Sequence, residues 1–259
     1  MQAVIEINNL RKSYDDNQVL QGVDLQIEAG QVIGYIGPNG AGKSTTVKIL
    51  IGLDGEFEGE VFVKGINVRE QPLEVKRLIG YIPENADLYE VLTPIEFLLL
   101  IGRLHDMPDE VIIARATRML NYLGLTVLED RMDTFSKGMR QKVMFVAGLI
   151  HDPEIIFLDE PLSGLDANAV ILVKEIIARL ADEGKTIFYC SHMMDVVEKV
   201  SDRIILINDG KIVADGTFES LRMQGGDSLE HIFSNLTGKT EQAASADQFI
   251  SAFKTSIHE

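Results

Sequence analysis

Basic residues are scarce in this chain of 259 residues. Lys and Arg total 24 against 40 Asp and Glu, a formal charge of 24 − 40 = −16. Non-specific DNA or RNA binding needs clustered Lys and Arg, so no nucleic-acid partner is expected. The same deficit argues against direct adhesion to an anionic membrane surface. Cysteine is nearly absent. Cys190 alone cannot close an internal disulfide, and no Cys/His cluster has zinc-site spacing. That usage fits a reducing compartment and a soluble, cytoplasmic chain. Long apolar runs are missing too: Phe97–Ile101 (FLLLI) falls far short of the ~20 residues that span a bilayer. There is no internal repeat or low-complexity tract. Met1–Leu10 alternates apolar and polar residues, like a first strand rather than a charged-then-apolar leader.

What is present is ample core material. A hydrophobic content of 46% excludes wholesale disorder. The length suits one large domain, or a domain with a subdomain.

Residues 1–36 read as β-structure. Val19, Val23, Leu25 and Ile27 alternate with polar neighbours, and Gln31–Ile36 is a short apolar strand. A Gly-rich turn and a helix at Ser44–Ile51 follow. Glu60–Val63 and Ile79–Ile82 are further strands. Thr93-Pro94 opens a helix, with an N-cap hydroxyl, Pro at the first helical position and Glu96 three residues after the cap. Met107–Leu123 and Lys137–Ile150 continue the helical pattern. Strand and helix then alternate: Glu154–Leu158, Ala167–Ala181, Thr186–Cys190, Met193–Val200 and Arg203–Ile207. Such alternation predicts a mostly parallel sheet with helices on both faces. The helical block at roughly 84–150 reads as an insertion into that core. Two more helices are expected near Ser228–Leu236 and Ala246–Ser256.

Gly37-Pro38-Asn39-Gly40-Ala41-Gly42-Lys43-Ser44-Thr45 fits G-x-x-x-x-G-K-[ST] in full. Its glycines let the backbone curl so that N–H groups point inward at a phosphate chain. The following helix adds the partial positive charge of its N-terminus. Lys43 supplies a charge for the β- and γ-phosphates and Ser44 a Mg²⁺ ligand. An apolar strand before the loop and a helix after it are the context this chemistry requires.

Asp159 and Glu160 stand at the C-terminal end of a buried strand, the edge where ligands of open α/β sheets collect. Asp159 would face the Mg²⁺ shell. Glu160, one residue further out, could orient or deprotonate the attacking water. Without the phosphate loop, a helix-capping acidic pair would explain them equally well. Ser191-His192 follows the next apolar strand, so His192 reaches the same edge, placed for a γ-phosphate contact. His105, His151, His231 and His258 lack such context and read as surface residues.

With these motifs in this order, the sequence resembles the ATP-binding subunit of ABC (ATP-binding cassette) transporters, from about residue 3 to 220. Phe135-Ser136-Lys137-Gly138-Met139 stands where the family has its Leu-Ser-Gly-Gly-Gln signature. Ser163-Gly164-Leu165-Asp166 matches the D-loop. Tyr14 matches the aromatic that stacks on adenine, and His192 the switch histidine. Lys137 and Met139 depart from the signature, and Glu84 stands where many relatives have Gln. A carboxylate there can ligate or approach Mg²⁺ but cannot donate a hydrogen bond. These departures, with an ending Ser228–Phe233 through Leu236-Thr237-Gly238, resemble bacterial exporter ATPases for drugs, peptide antibiotics or sodium.

The resemblance implies a P-loop nucleoside-triphosphatase α/β core. It adds an N-terminal antiparallel β-subdomain and an inserted α-helical subdomain. Residues 1–220 would form the ATP-binding domain and 221–259 a short helical extension. It further implies ATP and Mg²⁺ as cofactors, with Ser44, Glu84 and Asp159 around the metal. Two cassettes would close head to tail, self-pairing being the simplest arrangement. Ser136, Lys137, Gly138 and Met139 would then act on the partner's ATP. Glu160 would act on water, with His192 and Asp166 holding geometry across the interface. A separate polytopic membrane subunit would receive the motion through the block near Glu84–Leu104 and would place the chain at the cytoplasmic membrane face. Rival classes fit less well. Ribosome-acting members usually carry two cassettes in one chain, DNA-repair members a long coiled coil, and no Asn-Lys-x-Asp guanine motif occurs. A pair whose membrane partner regulates instead of pumping would carry the same cassette chemistry.

Overall fold

The computed structural model describes residues 3–191, 193–223 and 228–237. Alternating apolar residues build the first two strands, β1 (Ala3–Tyr14) and β2 (Asn17–Glu28), which pair antiparallel. β4 (Glu58–Val63) and the short β5 (Ile66–Asn67) complete a four-stranded sheet in the order β2-β1-β4-β5. The alternation of β2 changes phase at Gly22, whose φ of 94° suits a bulge. Leu20 is therefore buried with Val23, Leu25 and Ile27, while Val19 is only half-buried.

The second sheet has six strands in the order β10-β9-β3-β8-β7-β6. These are β3 (Val32–Ile36), β6 (Ile79–Ile82), β7 (Ile155–Asp159), β8 (Thr186–Cys190), β9 (Arg203–Asn208) and β10 (Lys211–Gly216). All pair in parallel except β10, an antiparallel edge strand. β3, β7 and β8 are buried along their whole length, as strands covered on both faces must be. Successive residues serve opposite cores. Ile33, Tyr35, Phe157 and Phe188 face the antiparallel sheet and helix α1 (Lys43–Leu50). Val32, Ile36, Leu158 and Tyr189 face the other core, which the inserted helices share.

The inserted block holds α3 (Pro94–Leu104), α4 (Asp109–Tyr122) and α5 (Lys137–Leu149), with a 3₁₀ turn at Met132–Thr134. α3 starts on the predicted capping box. Thr93 Oγ1 accepts from the Glu96 N–H at 3.2 Å, and Glu96 Oε2 accepts from the Thr93 N–H at 2.8 Å. Phe97 and Leu98 are buried, so the apolar run is mainly subdomain core, although Leu100 is exposed. α6 (Ala167–Asp182) and α7 (Met194–Val200) flank β8, close to their expected bounds. α2 (Pro72–Leu78) and α8 (Phe218–Arg222), like β5 and β10, have no counterpart in the sequence reading. α9 (Leu229–Thr237) matches the helix expected near 228–236, and its Leu229 and Ile232 are buried in the main core. The helix expected at Ala246–Ser256 lies outside the described residues.

The surface reading of His105 and His151 is corrected. Their rings stack with centroids 3.7 Å apart and 14° between planes. His151 Nε2 lies 2.9 Å from the Ile79 carbonyl oxygen. Burial lowers the His151 pKa to about 4. The cause is local: α5 is buried through Leu149 and Ile150, and the chain turns outward only at Asp152. His231 is exposed, as expected. His258 lies outside the described residues. Among the described residues, no helix is long and apolar enough to cross a membrane.

Candidate functional site

The C-terminal ends of β3, β8 and β7 are neighbours, which gathers three loops at one sheet edge. The loop after β3 approaches β9 so closely that a Cβ on Gly37 would lie 2.2 Å from the Ile207 carbonyl oxygen. Gly42, at φ 107°, turns the chain into α1 without a side-chain cap. The helix N-terminus therefore presents its partial positive charge to the loop. Lys43 is buried, and its Nζ donates to the carbonyls of Gly37 at 2.7 Å and Pro38 at 3.1 Å. Thr46 steadies the turn by donating to the Gly42 carbonyl at 2.9 Å.

Asp159 ends β7 and is 7% exposed. Burial raises its pKa, with Glu160 and Glu84 adding repulsion, against a hydrogen bond from Ser44 and the charge of Lys43. Glu160 has a φ of 50°, rare for a residue with a side chain, and its N–H donates to the Cys190 carbonyl at 2.9 Å. Glu160 Oε2 accepts from Ser191 Oγ at 3.0 Å. One cavity of about 360 Å³ is lined by Gly37, Pro38, Asn39, Lys43, Ser44, Glu84, Asp159 and Glu160, with Met194 and Phe233 beside them. The structure thus unites the loop, Glu84 and the acidic pair. Gly40 and Ala41 complete the same loop, and its Thr45 lies close enough to Tyr14 to act on the phenol. His192 lies outside the described residues.

The signature residues sit elsewhere. Ser136 N-caps α5, accepting from the Met139 N–H at 3.3 Å. Lys137 Nζ donates to Ser163 Oγ at 3.2 Å, and Gly138 packs against the Gly164 carbonyl. Asp166 caps α6 by accepting from the Ala169 N–H at 2.9 Å and lies 3.5 Å from Lys142. None of Ser136–Met139 or Asp166 lines the cavity.

Magnesium takes oxygen donors and usually keeps several waters beside one or two carboxylates and phosphates. The hydroxyl of Ser44 and the carboxylates of Glu84 and Asp159 offer only such donors in one cavity. The set fits magnesium held jointly with a phosphate. Among the described residues there is no cluster of three or more His, Cys, Asp or Glu that would hold a metal alone.

Sequence reasoning missed three features here. The Ser191 bond to Glu160 could have been suspected from its place after β8. Met194 and Phe233 reach the cavity from α7 and α9, a long-range packing result with no sequence signal. Lys12 and Asp54, which contact Tyr14, are likewise unmarked by any motif.

Residues 20–163 match the ABC transporter family. LnrL of Bacillus subtilis, a linearmycin resistance ATP-binding protein, is 34% identical over 228 residues, covering 87% of this chain and 73% of that protein. A solved ATP-binding subunit of an ABC transporter superposes with a TM-score of 0.84 at 32% identity, over 90% of this chain and 99% of its own. A dimeric ATP-binding cassette in a post-hydrolysis state, bound to ADP and Pi, gives 0.77 at 26% identity, over 82% and 98%. Such a fold and site define an ATP-binding, ATP-hydrolysing cassette. The chain belongs to the ABC transporter family and is an ATPase tied to transport.

Proposed function

We propose that two copies of this chain close head to tail over two ATP molecules, and that hydrolysis drives export through a separate polytopic membrane subunit. The observation that carries the paired site is a separation. Lys43, Asp159 and Glu160 share a cavity that Ser136, Gly138 and Asp166 of the same chain do not line. A second copy would bring them there. The dimeric relative with ADP and Pi supports this arrangement. The name of LnrL, a linearmycin resistance ATP-binding protein, supports the export direction.

Within each site Tyr14 stacks on adenine, an interaction of about 1–3 kcal/mol by analogy with base stacking. The amides of Gly37–Thr45 and the ammonium of Lys43 bind the phosphates. Ser44, Asp159 and Glu84 would hold magnesium, which would supply charge neutralisation for the phosphates. Glu160 accepts a proton from the attacking water, and the Ser191 hydroxyl fixes the carboxylate that does so. Ser136 and Gly138 of the partner complete the γ-phosphate cage, with Lys137 and Met139 alongside. His192 and Asp166 hold geometry across the interface.

Residues 1–220 act as the ATP-binding domain, and 221–259 as an extension anchored by α9. The membrane subunit docks on the block near Glu84–Leu104, where Tyr89 and Val91 are exposed beside an apolar groove that includes Phe97 and Ile101. The chain then sits at the cytoplasmic membrane face without a span of its own.

The test is affinity purification of tagged Glu160→Gln chain from solubilised native membranes with ATP added. A polytopic membrane protein in near-equal amount supports the proposal. Recovery of soluble partners or ribosomes alone contradicts it.

A further inference from the structure

We propose that Lys12 and Asp54 are positioning residues that hold Tyr14 as the base platform and tie it to the phosphate loop. The inference rests on the reading of Tyr14 as the residue that stacks on adenine. Tyr14 ends β1 and is 43% exposed. Such a side chain keeps rotamer freedom unless something holds it.

Three contacts hold it. Its hydroxyl donates to Asp54 Oδ2 at 2.9 Å. The Thr45 hydroxyl is near enough to the same phenol to favour its ionised form, and Thr45 belongs to the phosphate loop. The Lys12 ammonium lies 4.6 Å from the ring centroid, within cation–π range. Lys12 and Tyr14 are two apart on one strand and so share a face.

Lys12 is itself fixed. It is only 5% exposed, and its Nζ donates to Asp54 Oδ1 at 2.9 Å and to the Glu56 carbonyl at 2.6 Å. Asp54 also accepts from the Glu56 N–H at 3.0 Å. Burial pushes the Asp54 carboxyl pKa up, but Lys12, that N–H and the Tyr14 hydroxyl outweigh it and leave the pKa lowered. A buried ion pair adds little stability over an apolar pair of the same size. What this one adds is direction: one carboxylate fixes both a cation and the ring that the cation faces. With one ring face taken by Lys12, a base would stack on the other. The run Asp54–Tyr14–Thr45 sets the spacing between base platform and phosphate cradle, so ATP meets both already aligned.

The consequence belongs to nucleotide affinity and not to the chemical step. It is read on the full chain by steady-state ATPase kinetics, with inorganic tripolyphosphate as a competitive inhibitor that reports the phosphate cradle alone. Lys12→Met and Asp54→Asn nearly keep side-chain size, and each is expected to raise the KM for ATP about five- to tenfold, as lost stacking would. kcat and tripolyphosphate inhibition stay at their wild-type values, and Lys12→Arg restores most of the affinity. Tyr14→Phe, lacking only the hydroxyl, gives a smaller rise in KM. Tyr14→Ala tests the underlying reading separately. If it raises KM while Lys12→Met and Asp54→Asn do not, the positioning role is refuted and the base platform stands. If Tyr14→Ala leaves KM unchanged, the base platform itself is refuted. Parallel weakening of tripolyphosphate in the Lys12 and Asp54 variants also refutes the positioning role, because the loop as a whole would then be damaged.

Discussion

Glu160→Gln removes a base while leaving the contacts with Cys190 and Ser191 able to form. The Glu160 N–H keeps its bond to the Cys190 carbonyl, because that bond is backbone only. The amide oxygen of Gln can still accept from Ser191 Oγ, now 3.0 Å from Oε2. Gln is isosteric with Glu, so the positive φ at this position meets the same side-chain bulk. Lys43, Ser44 and Asp159 are untouched, so ATP binding persists. What disappears is the capacity to take a proton from water. General-base catalysis contributes typically about 10²–10⁴-fold. That range corresponds to a barrier rise of about 2.7–5.4 kcal/mol. Ser191→Ala should cost less, about tenfold, since it removes one hydrogen bond to a charged group. The assay is phosphate release at saturating ATP, paired with equilibrium ATP binding on the same samples. A Glu160→Gln chain that binds ATP and turns over at the wild-type rate would refute the general-base role.

Other consequences are equally specific. Lys43→Ala should weaken ATP binding itself, measured by equilibrium titration, because it deletes the buried ammonium of the loop; unchanged affinity contradicts its role. Thr93→Ala should lower stability by about 1 kcal/mol through loss of the α3 cap, visible in chemical denaturation. His151 has a folded pKa of about 4 against an ordinary 6.5, so between those values the unfolded chain binds more protons. Its stability contribution is full above pH 6.5 and is lost as pH falls towards 4. His151→Phe should flatten that part of the pH–stability curve, measured by denaturant unfolding at several pH values.

Much of this architecture was legible because local chemistry and tertiary demand agree. Thr186–Cys190 reads as a buried strand and is one, since an unbroken apolar run between turn residues has few other uses. Thr93, Pro94 and Glu96 announce a helix start and form it. The phosphate loop is legible because its backbone needs glycines at fixed places. Elsewhere the signal is tertiary. β10 exposes alternate residues along Lys211–Gly216 and is specified mainly by pairing with β9. α2 is short, and only Val75 among its residues is buried. The stacked histidines lie just after the ends of α3 and α5, brought together by packing of the inserted block. Lys12, Tyr14 and Asp54 converge from a strand and a distant loop, and no spacing rule records that. Phe233 reaches the catalytic cavity only because Leu229 and Ile232 anchor α9 in the core.

The composite ATP site is tested most directly by the solution mass of the Glu160→Gln chain, measured by light scattering with and without ATP and Mg²⁺. Twice the monomer mass with ATP, the monomer mass without it, and loss of the ATP effect when Ser136→Ala is added are the expected results. A monomer under every condition, with ATP bound, would contradict a site shared between two copies.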